Sequence, residues 1–375
     1  MKNLLFYGTT NYGTKLNSSD NLKFKELSSN FKTYVITYGN KNDLIKHNYV
    51  NIMYIKKPKN LFVQYLKFYF FNFFAVKKFC LEKKIDIISS KDPISALIPT
   101  IIKIFFIKDL KIIIEHHGDF LNLLLNQRKF RSNFFIVFLS NIISNFTYKN
   151  CDLIRGVEDK YTISLAEKYF KNYITFPAWV DYSTYKIQEL NRRNLVYVGN
   201  IIPRKGVYFL INAFHNFCQN NDFKENLLVV GDNQNTEYFN KCLKLINDKG
   251  IKNVEFLGKK SPEELSLIYS SAKLLVMASS YEGLPRVLIE SGLCGTPSLA
   301  SNIQGINDPF GKYGGTILYD LDDIEDFQIK LKHFINDEKI QIDLQEKSHS
   351  LSTNLSGKDS FLNNWIEIES KIYEK

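Results

Sequence analysis

Residues 279–301 read SSYEGLPRVLIESGLCGTPSLAS, a polar loop running into a short helix that ends just before a strand of small residues. Leu284, Val287, Leu288 and Ser291 fall at helical spacing, Pro285 suits the first helical position, and Gly295 with Pro297 supplies a stop. The spacing predicts a helix of about ten residues. Glu282 stands in the loop and Glu290 eight positions later, within the helix. Two carboxylates in that frame can face one pocket at two heights, a pattern suited to recognising hydroxyl groups.

Outward from this stretch, the second half alternates strand and helix. Strands are expected at Leu195–Val198, Leu227–Val230, Val254–Leu257, Leu274–Met277 and Ser298–Ala300, with helices in the intervals. Ser261-Pro262-Glu263-Glu264 carries the signs of a helix start: a capping serine, proline at the first position and an acidic residue in capping-box range. The first half has the same rhythm. Strands are expected at Leu4–Tyr7, Tyr34–Thr37, Ile52–Ile55, Ile85–Ile88, Ile112–Glu115, Leu153–Arg155 and Ile174–Pro177, and the loop 9–19 reads as ligand-facing. Such alternation predicts doubly wound parallel sheets. The polar stretch Ala178–Arg193 reads as the junction, and Phe361–Tyr373 as a closing helix that packs back on the first half. The expected division is an N-terminal domain 1–185, a C-terminal domain 186–355 and a final helical segment 356–375.

At 375 residues and 45% hydrophobic composition the chain can form two sizeable cores. Its formal charge of +10 is uneven. Residues 1–190 hold 28 Lys and Arg against 15 Asp and Glu, a formal +13, whereas the remainder holds 21 against 24, a formal −3. A basic half suits an anionic membrane surface or a phosphate-bearing acceptor; no nucleic-acid-binding signature appears, so nucleic acid is not an expected partner. The plain alternative is a solvated lysine-rich surface. The five cysteines are odd in number, widely separated and never in a Cys-x-x-Cys arrangement, which fits reduced cytosolic thiols rather than disulfides or zinc. MKNLLFYGTT has too short an apolar core for a signal peptide and reads as a first strand. The apolar stretches Leu61–Phe79, Leu97–Ile107 and Phe134–Phe146 are too short or too interrupted to span a bilayer. In the first of these, Leu61, Tyr65, Phe68, Phe71 and Ala75 recur at helical spacing beside lysines; core packing is the preferred reading and an interfacial membrane helix the alternative.

Gly199-Asn200-Ile201-Ile202-Pro203-Arg204-Lys205-Gly206 follows a strand and opens a helix, placing backbone N–H groups and a lysine where a phosphate could be held. Lys205 offers a compact charge and Arg204 a fork, although loop lysines are commonly only solvated. Gly231-Asp232, after the next strand, is a weaker signal. Asp320-Leu321-Asp322 has the look of an acidic metal motif but precedes a helix and is read as its cap. Taken together by order and spacing, the Gly199–Gly206 loop, the Gly231-Asp232 turn and the Glu282-x7-Glu290 pair resemble glycosyltransferase family 4. His117-Gly118 resembles that family's histidine-glycine segment and Pro177–Asp181 its proline-containing turn.

The resemblance implies the GT-B fold, two doubly wound Rossmann-like domains facing across a cleft, with a nucleotide diphosphate sugar held by the C-terminal domain and the acceptor by the N-terminal one. It implies that Glu290 binds the ribose, that Glu282 with the backbone of Gly283 and Leu284 holds the donor sugar, that Lys205 meets the diphosphate, and that His117 lies beside the transferred sugar. It further implies retention of anomeric configuration without a metal or other cofactor. The family often has arginine where this chain has Asn200, and Arg204 or Arg286 is expected to supply the replacement charge. The resulting expectation is a cytoplasmic glycosyltransferase at the inner face of the membrane, taking a UDP-sugar to a glycan hydroxyl on a lipid-linked acceptor in surface polysaccharide assembly. A nucleotide-sugar epimerase of the same fold and a noncatalytic sugar-nucleotide-binding scaffold are the alternatives. His47, His215, His333 and His349 sit outside any expected ligand cluster, and Trp179 is read as packing.

Overall fold

The computed structural model describes residues 1–59, 72–116 and 134–373, with residues 134–136 described by backbone alone. It contains two compact units: unit 1 is Met1–Trp179 with Asp359–Lys375, and unit 2 is Val180–Lys358.

Among the described residues, unit 1 carries eight strands, β1 (Lys2–Tyr7), β2 (Phe31–Gly39), β3 (Asp43–Lys46), β4 (Val50–Lys56), β5 (Ile87–Ser90), β6 (Lys111–His116), β7 (Leu153–Gly156) and β8 (Asn172–Thr175). Their order in the sheet is β3-β4-β2-β1-β5-β6-β7-β8, parallel except where β3 runs antiparallel to β4. Strands buried on both faces must be apolar on both, which is why they read as unbroken runs such as Ile112–Ile114. Successive side chains still divide between two layers. Leu5, Tyr7, Ile36, Ile88, Ile112 and Ile114 share a core with the helices Phe73–Glu82, Leu97–Phe105 and Phe134–Asn150. Leu4, Val35, Ile87, Ile113 and Leu153 share another with the helices Ser18–Leu27 and Ser360–Tyr373. The last helix is anchored by Trp365, whose ring lies edge-on to Phe6 at 5.0 Å. Near the end of unit 1, Arg155 is fully buried, pairs with Glu115 at 3.2 Å and donates to the carbonyls of Phe176 (2.8 Å) and Pro177 (2.7 Å). Burial of this cation is compensated on several sides, as it must be.

Unit 2 carries six parallel strands, β9 (Arg193–Val198), β10 (Leu227–Val230), β11 (Val254–Gly258), β12 (Ala272–Met277), β13 (Ser298–Ser301) and β14 (Thr316–Tyr319), in the order β11-β10-β9-β12-β13-β14. The chain winds outward from β9 through β10 to β11, then returns to the other side of β9 with β12. The loops after β9 and β12 therefore leave adjacent strands on opposite hands, the switch point where open α/β sheets bind ligands. β1 and β5 make the corresponding switch in unit 1.

Several local expectations are refined. The helix start at Ser261 has both halves of its capping box, with Ser261 Oγ accepting from Glu264 N at 3.2 Å and Glu264 Oε2 from Ser261 N at 2.8 Å. Neither Asp320 nor Asp322 caps the helix Ile324–Asn336; Asp323 does, its Oδ1 accepting from Asp326 N at 3.0 Å, while Asp322 takes a positive φ of 61° in the turn. Strands β3 and β14 were not expected from the pattern. All five cysteines are free, and burial pushes the Cys80 and Cys151 thiols up to about 12, so they are unreactive at neutral pH. Among the described residues no helix is long and apolar enough to cross a membrane. The part of the expected helix at Leu61–Phe71 lies outside the described residues; its continuation, Phe73–Glu82, buries Val76, Phe79 and Cys80 and leaves Phe74 outside.

Candidate active site

The loop after β9 turns through a single 3-10 turn, Pro203–Lys205, and Gly206 then starts the helix Val207–Asn220. Gly206 has φ +65°, and a Cβ placed on it would stand 2.1 Å from the carbonyl oxygen of Ala278. The β9 and β12 loops touch at this point. Ser280 N donates to Arg204 O at 2.9 Å, and the Arg204 guanidinium donates to the carbonyl of Tyr281. A left-handed φ alone would tolerate asparagine; the backbone contact does not. Gly206→Ala and Gly206→Asn are both expected to cost about 1–3 kcal/mol, read as a lower urea midpoint, and a harmless asparagine would show that the contact is unimportant.

That contact brings Lys205 to Glu282. Lys205 Nζ is ion-paired with Glu282 Oε1, and Arg204 Nη1 lies 3.5 Å from the same oxygen. Both Lys205 and Glu282 are mostly buried, at 16% and 10% side-chain exposure, which removes much of the screening that makes surface pairs weak. On the other flank, a Cβ on Gly305 would stand 2.1 Å from Glu282 O and 2.2 Å from Gly283 O, so the loop after β13 holds the Glu282-Gly283 backbone from behind. Leu284 packs into the apolar cluster beneath. A cationic pair, a carboxylate and a fixed backbone turn thus meet at the carboxyl ends of β9, β12 and β13.

Glu290 has a different setting. The helix Arg286–Leu293 begins after Pro285, and its Glu290 is 6% exposed. Tyr269 Oη donates to Oε2 at 3.2 Å, and Arg286 Nη2 stands 3.4 Å from Oε1. Burial pushes the Glu290 carboxyl above the usual carboxylate range, opposed by Arg286 and the Tyr269 hydroxyl. The Arg286–Glu290 pair is therefore not the simple surface bridge that its four-residue spacing suggests: its acidic end is enclosed while its arginine is half exposed.

Arg204, Lys205 and Glu282 are thus brought together, with Gly283 beside them, and Glu290 has its own partners. Asn200 is exposed, its carbonyl accepting from Tyr197 Oη at 3.0 Å. The Asp232 carbonyl accepts from Ile201 N at 2.9 Å, a structural use of the Gly231-Asp232 turn. His117 lies outside the described residues. Its neighbour His116, at the end of β6, stacks on Tyr161 with centroids 4.5 Å apart and faces Tyr148 Oη at 3.3 Å, beside a cavity of about 150 Å³ also lined by Asn145 and Lys168. Trp179 donates to Ser19 Oγ at 3.0 Å and packs on Phe361, a structural role. Tyr269 and Gly305 escaped the sequence reading. Each acts on a residue far along the chain, and only a glycine in the β13 loop hinted at close approach.

Residues 186–353 match the family described as glycosyl transferases group 1. O-antigen chain mannosyltransferase B of Escherichia coli is 23% identical over 38% of this chain and 37% of its own length. The chain spans half or less of the length of the curated relatives it matches. Among solved structures, sucrose-phosphate synthase of Thermosynechococcus elongatus superposes with a TM-score of 0.78 at 16% identity, over 100% of this chain and 99% of that one. Anabaena Alr3699/HepE, solved with UDP and glucose, superposes with a TM-score of 0.71 at 14% identity over the whole of both chains. These likenesses assign the two-unit α/β fold of GT-B glycosyltransferases.

Proposed function

We propose that the chain is a retaining glycosyltransferase that moves a sugar from a nucleotide diphosphate sugar, UDP-linked by preference, to a hydroxyl of a glycan acceptor. The observation that carries this reading is the Lys205–Glu282 pair, mostly buried where the β9 and β12 loops meet at the switch point. A cation there matches the charge that grows on a departing diphosphate, and the adjacent carboxylate matches sugar hydroxyls. Glu290, ionised, would accept from the ribose hydroxyls, and the backbone of Gly283 and Leu284 would border the sugar.

In this reading the bond from the anomeric carbon to phosphate oxygen breaks while the acceptor oxygen attacks the same face, and the hydroxyl proton passes to the departing phosphate. Lys205, with Arg204 or Arg286 in place of the cation missing at Asn200, would stabilise that group without a metal. His117 would stand beside the transferred sugar. Unit 1 is the acceptor side, its +13 segment suited to a lipid-linked glycan at the inner face of a cell membrane, as in surface polysaccharide assembly.

The test is a panel of UDP- and GDP-sugars with and without chelator, read as thermal stabilisation and slow nucleotide release. Stabilisation by one donor that survives chelator is expected. If neither a nucleotide sugar nor a free nucleotide binds, the reading fails.

A further inference from the structure

The helical layer of unit 1 formed by Phe73–Glu82, Leu97–Phe105 and Phe134–Asn150 is apolar on the side turned away from its sheet. Phe74 is 78% exposed, Phe105 70% and Phe138 54%, and Leu81, Phe106, Ile142 and Phe146 are exposed with them. The helix Phe134–Asn150 exposes Phe138, Leu139, Ile142 and Phe146 alongside Asn141, Asn145 and Lys149, more apolar surface than a water-facing helix usually shows. Its outward stripe is Phe138, Ile142 and Phe146, at four-residue spacing, while Ser140, Ser144 and Thr147 are buried toward the sheet beside Ile143 and Tyr148. The opposite layer of the same sheet behaves conventionally; the exposed large apolar groups on its helices are Ile366 and Tyr373, each just over a third exposed.

The three helices are neighbours in this layer. Phe106 packs against Phe73 at 5.8 Å, Lys77 Nζ lies 3.6 Å over the Phe106 ring, and Lys103 Nζ reaches the carbonyl of Asn150 at 3.3 Å. So many exposed large apolar groups on neighbouring helices mark an interaction site. Its charge selects the occupant. Residues 72–84, 97–110 and 134–150 hold seven lysines against two carboxylates, Glu82 and Asp109; Lys103 is paired with Asp152 at 2.6 Å and Lys78 with Glu82 at 3.7 Å, which leaves five other lysines on these segments. Two copies of the face laid together would oppose lysines with lysines, whereas aromatic groups ringed by lysines complement acyl chains beneath anionic headgroups.

We propose that this three-helix face of unit 1 docks the protein on a bilayer containing anionic lipid, with the outward phenylalanines and Ile142 in the headgroup–acyl boundary and the lysines at the phosphates. The inference deepens the membrane side of the proposed function and depends on it only for the identity of the acceptor. Vesicle binding can fail while donor binding succeeds, and the reverse.

The experiment measures co-sedimentation of the full chain with phosphatidylcholine vesicles containing about 30 mol% phosphatidylglycerol, against phosphatidylcholine alone, at low and high salt. Phe105→Asp combined with Ile142→Asp changes two side chains already in solvent, so circular dichroism and nucleotide binding should match the parent. Partition onto the anionic vesicles is expected to fall at least about tenfold. Ile329→Asp with Ile342→Asp, exposed on unit 2, should leave partition unchanged. Salt and removal of phosphatidylglycerol should each weaken binding of the parent protein. The proposal is overturned if the parent ignores anionic vesicles at low salt, or if the Phe105/Ile142 variant binds as well as the parent. It is also overturned if light scattering finds a dimer that this variant dissociates, which would make the face an interface between copies.

Discussion

Glu290→Gln is expected to weaken nucleotide binding by roughly 10- to 150-fold while making the unliganded protein more stable at neutral pH. Both effects come from one oxygen pair. A charge-assisted hydrogen bond contributes about 1.5–3 kcal/mol, and an amide cannot accept from two ribose hydroxyls as a carboxylate can. Before ligand arrives, the same carboxylate is enclosed, held by Tyr269 Oη at 3.2 Å and by an Arg286 that is half in water. Burial raises its pKa, so the folded state binds this proton more tightly than the unfolded chain does. The favourable contribution of protonated Glu290 is complete below the ordinary carboxylate range and lost as pH rises through the raised folded value. At neutral pH the wild-type protein therefore carries the cost of a buried charge that glutamine removes, and Arg286, already half exposed, turns to solvent without being stranded.

The pH dependence separates this account from simple damage to the fold. Nucleotide affinity of the wild-type protein should fall as pH drops through the raised Glu290 value, above the usual carboxylate range, and the variant should lose that dependence. Calorimetric titration with UDP alongside thermal unfolding across pH 5–8, a window of about three units, reads both quantities. A variant that binds UDP as tightly as the parent would remove Glu290 from the donor site. A variant that melts below the parent at neutral pH would show that the carboxylate is structurally favourable.

The alternation of apolar runs made both sheets legible, because parallel strands covered on two faces leave a strong compositional trace. β3 and β14 left a weak one. β3, the four residues Asp43–Lys46, lies at a sheet edge, and β14 is an equally short run after two glycines. The cap of the helix Ile324–Asn336 was misplaced among neighbouring aspartates because the turn around Asp322, with its positive φ, decides which carboxylate reaches Asp326 N. Glu282 and Lys205 were singled out by spacing together with the family resemblance, but their pairing depends on Gly206 meeting Ala278, 72 positions away. The helix Phe134–Asn150 gives the sharpest lesson. Its stripes of phenylalanine and of small hydroxyls share helical spacing, so periodicity defines two faces and convention would bury the aromatic one. The fold buries Ser140, Ser144 and Thr147 together with Ile143 and Tyr148 and leaves Phe138, Ile142 and Phe146 outside.

Lys205→Ala is expected to slow donor cleavage by about 10²- to 10³-fold, with a change in UDP-sugar affinity of less than about tenfold. The ground-state diphosphate already carries charge, and Arg204 remains 3.5 Å from Glu282 in the same loop contact to offset part of it. What the lysine supplies is positive charge fixed in a mostly buried position before the phosphate oxygen gains its extra electron density. The helix that follows contributes less than its position suggests: Tyr208 N, one of its first N–H groups, already donates to Tyr238 Oη at 2.9 Å. Lys205→Arg should recover part of the rate, because the charge returns on a longer, planar group that cannot stand where the ammonium stood. Slow release of nucleotide from UDP-sugar in the absence of acceptor measures the step without knowledge of the acceptor. If alanine lowers affinity and rate by the same small factor, Lys205 only helps to hold the donor, and the leaving-group role must belong to Arg204 or Arg286. Neutralising both arginines while Lys205 is kept is the complementary test: a loss of rate assigns them the charge that Asn200 lacks, and an unchanged rate, with a slow Lys205→Ala, leaves Lys205 as the cation the cleavage step depends on.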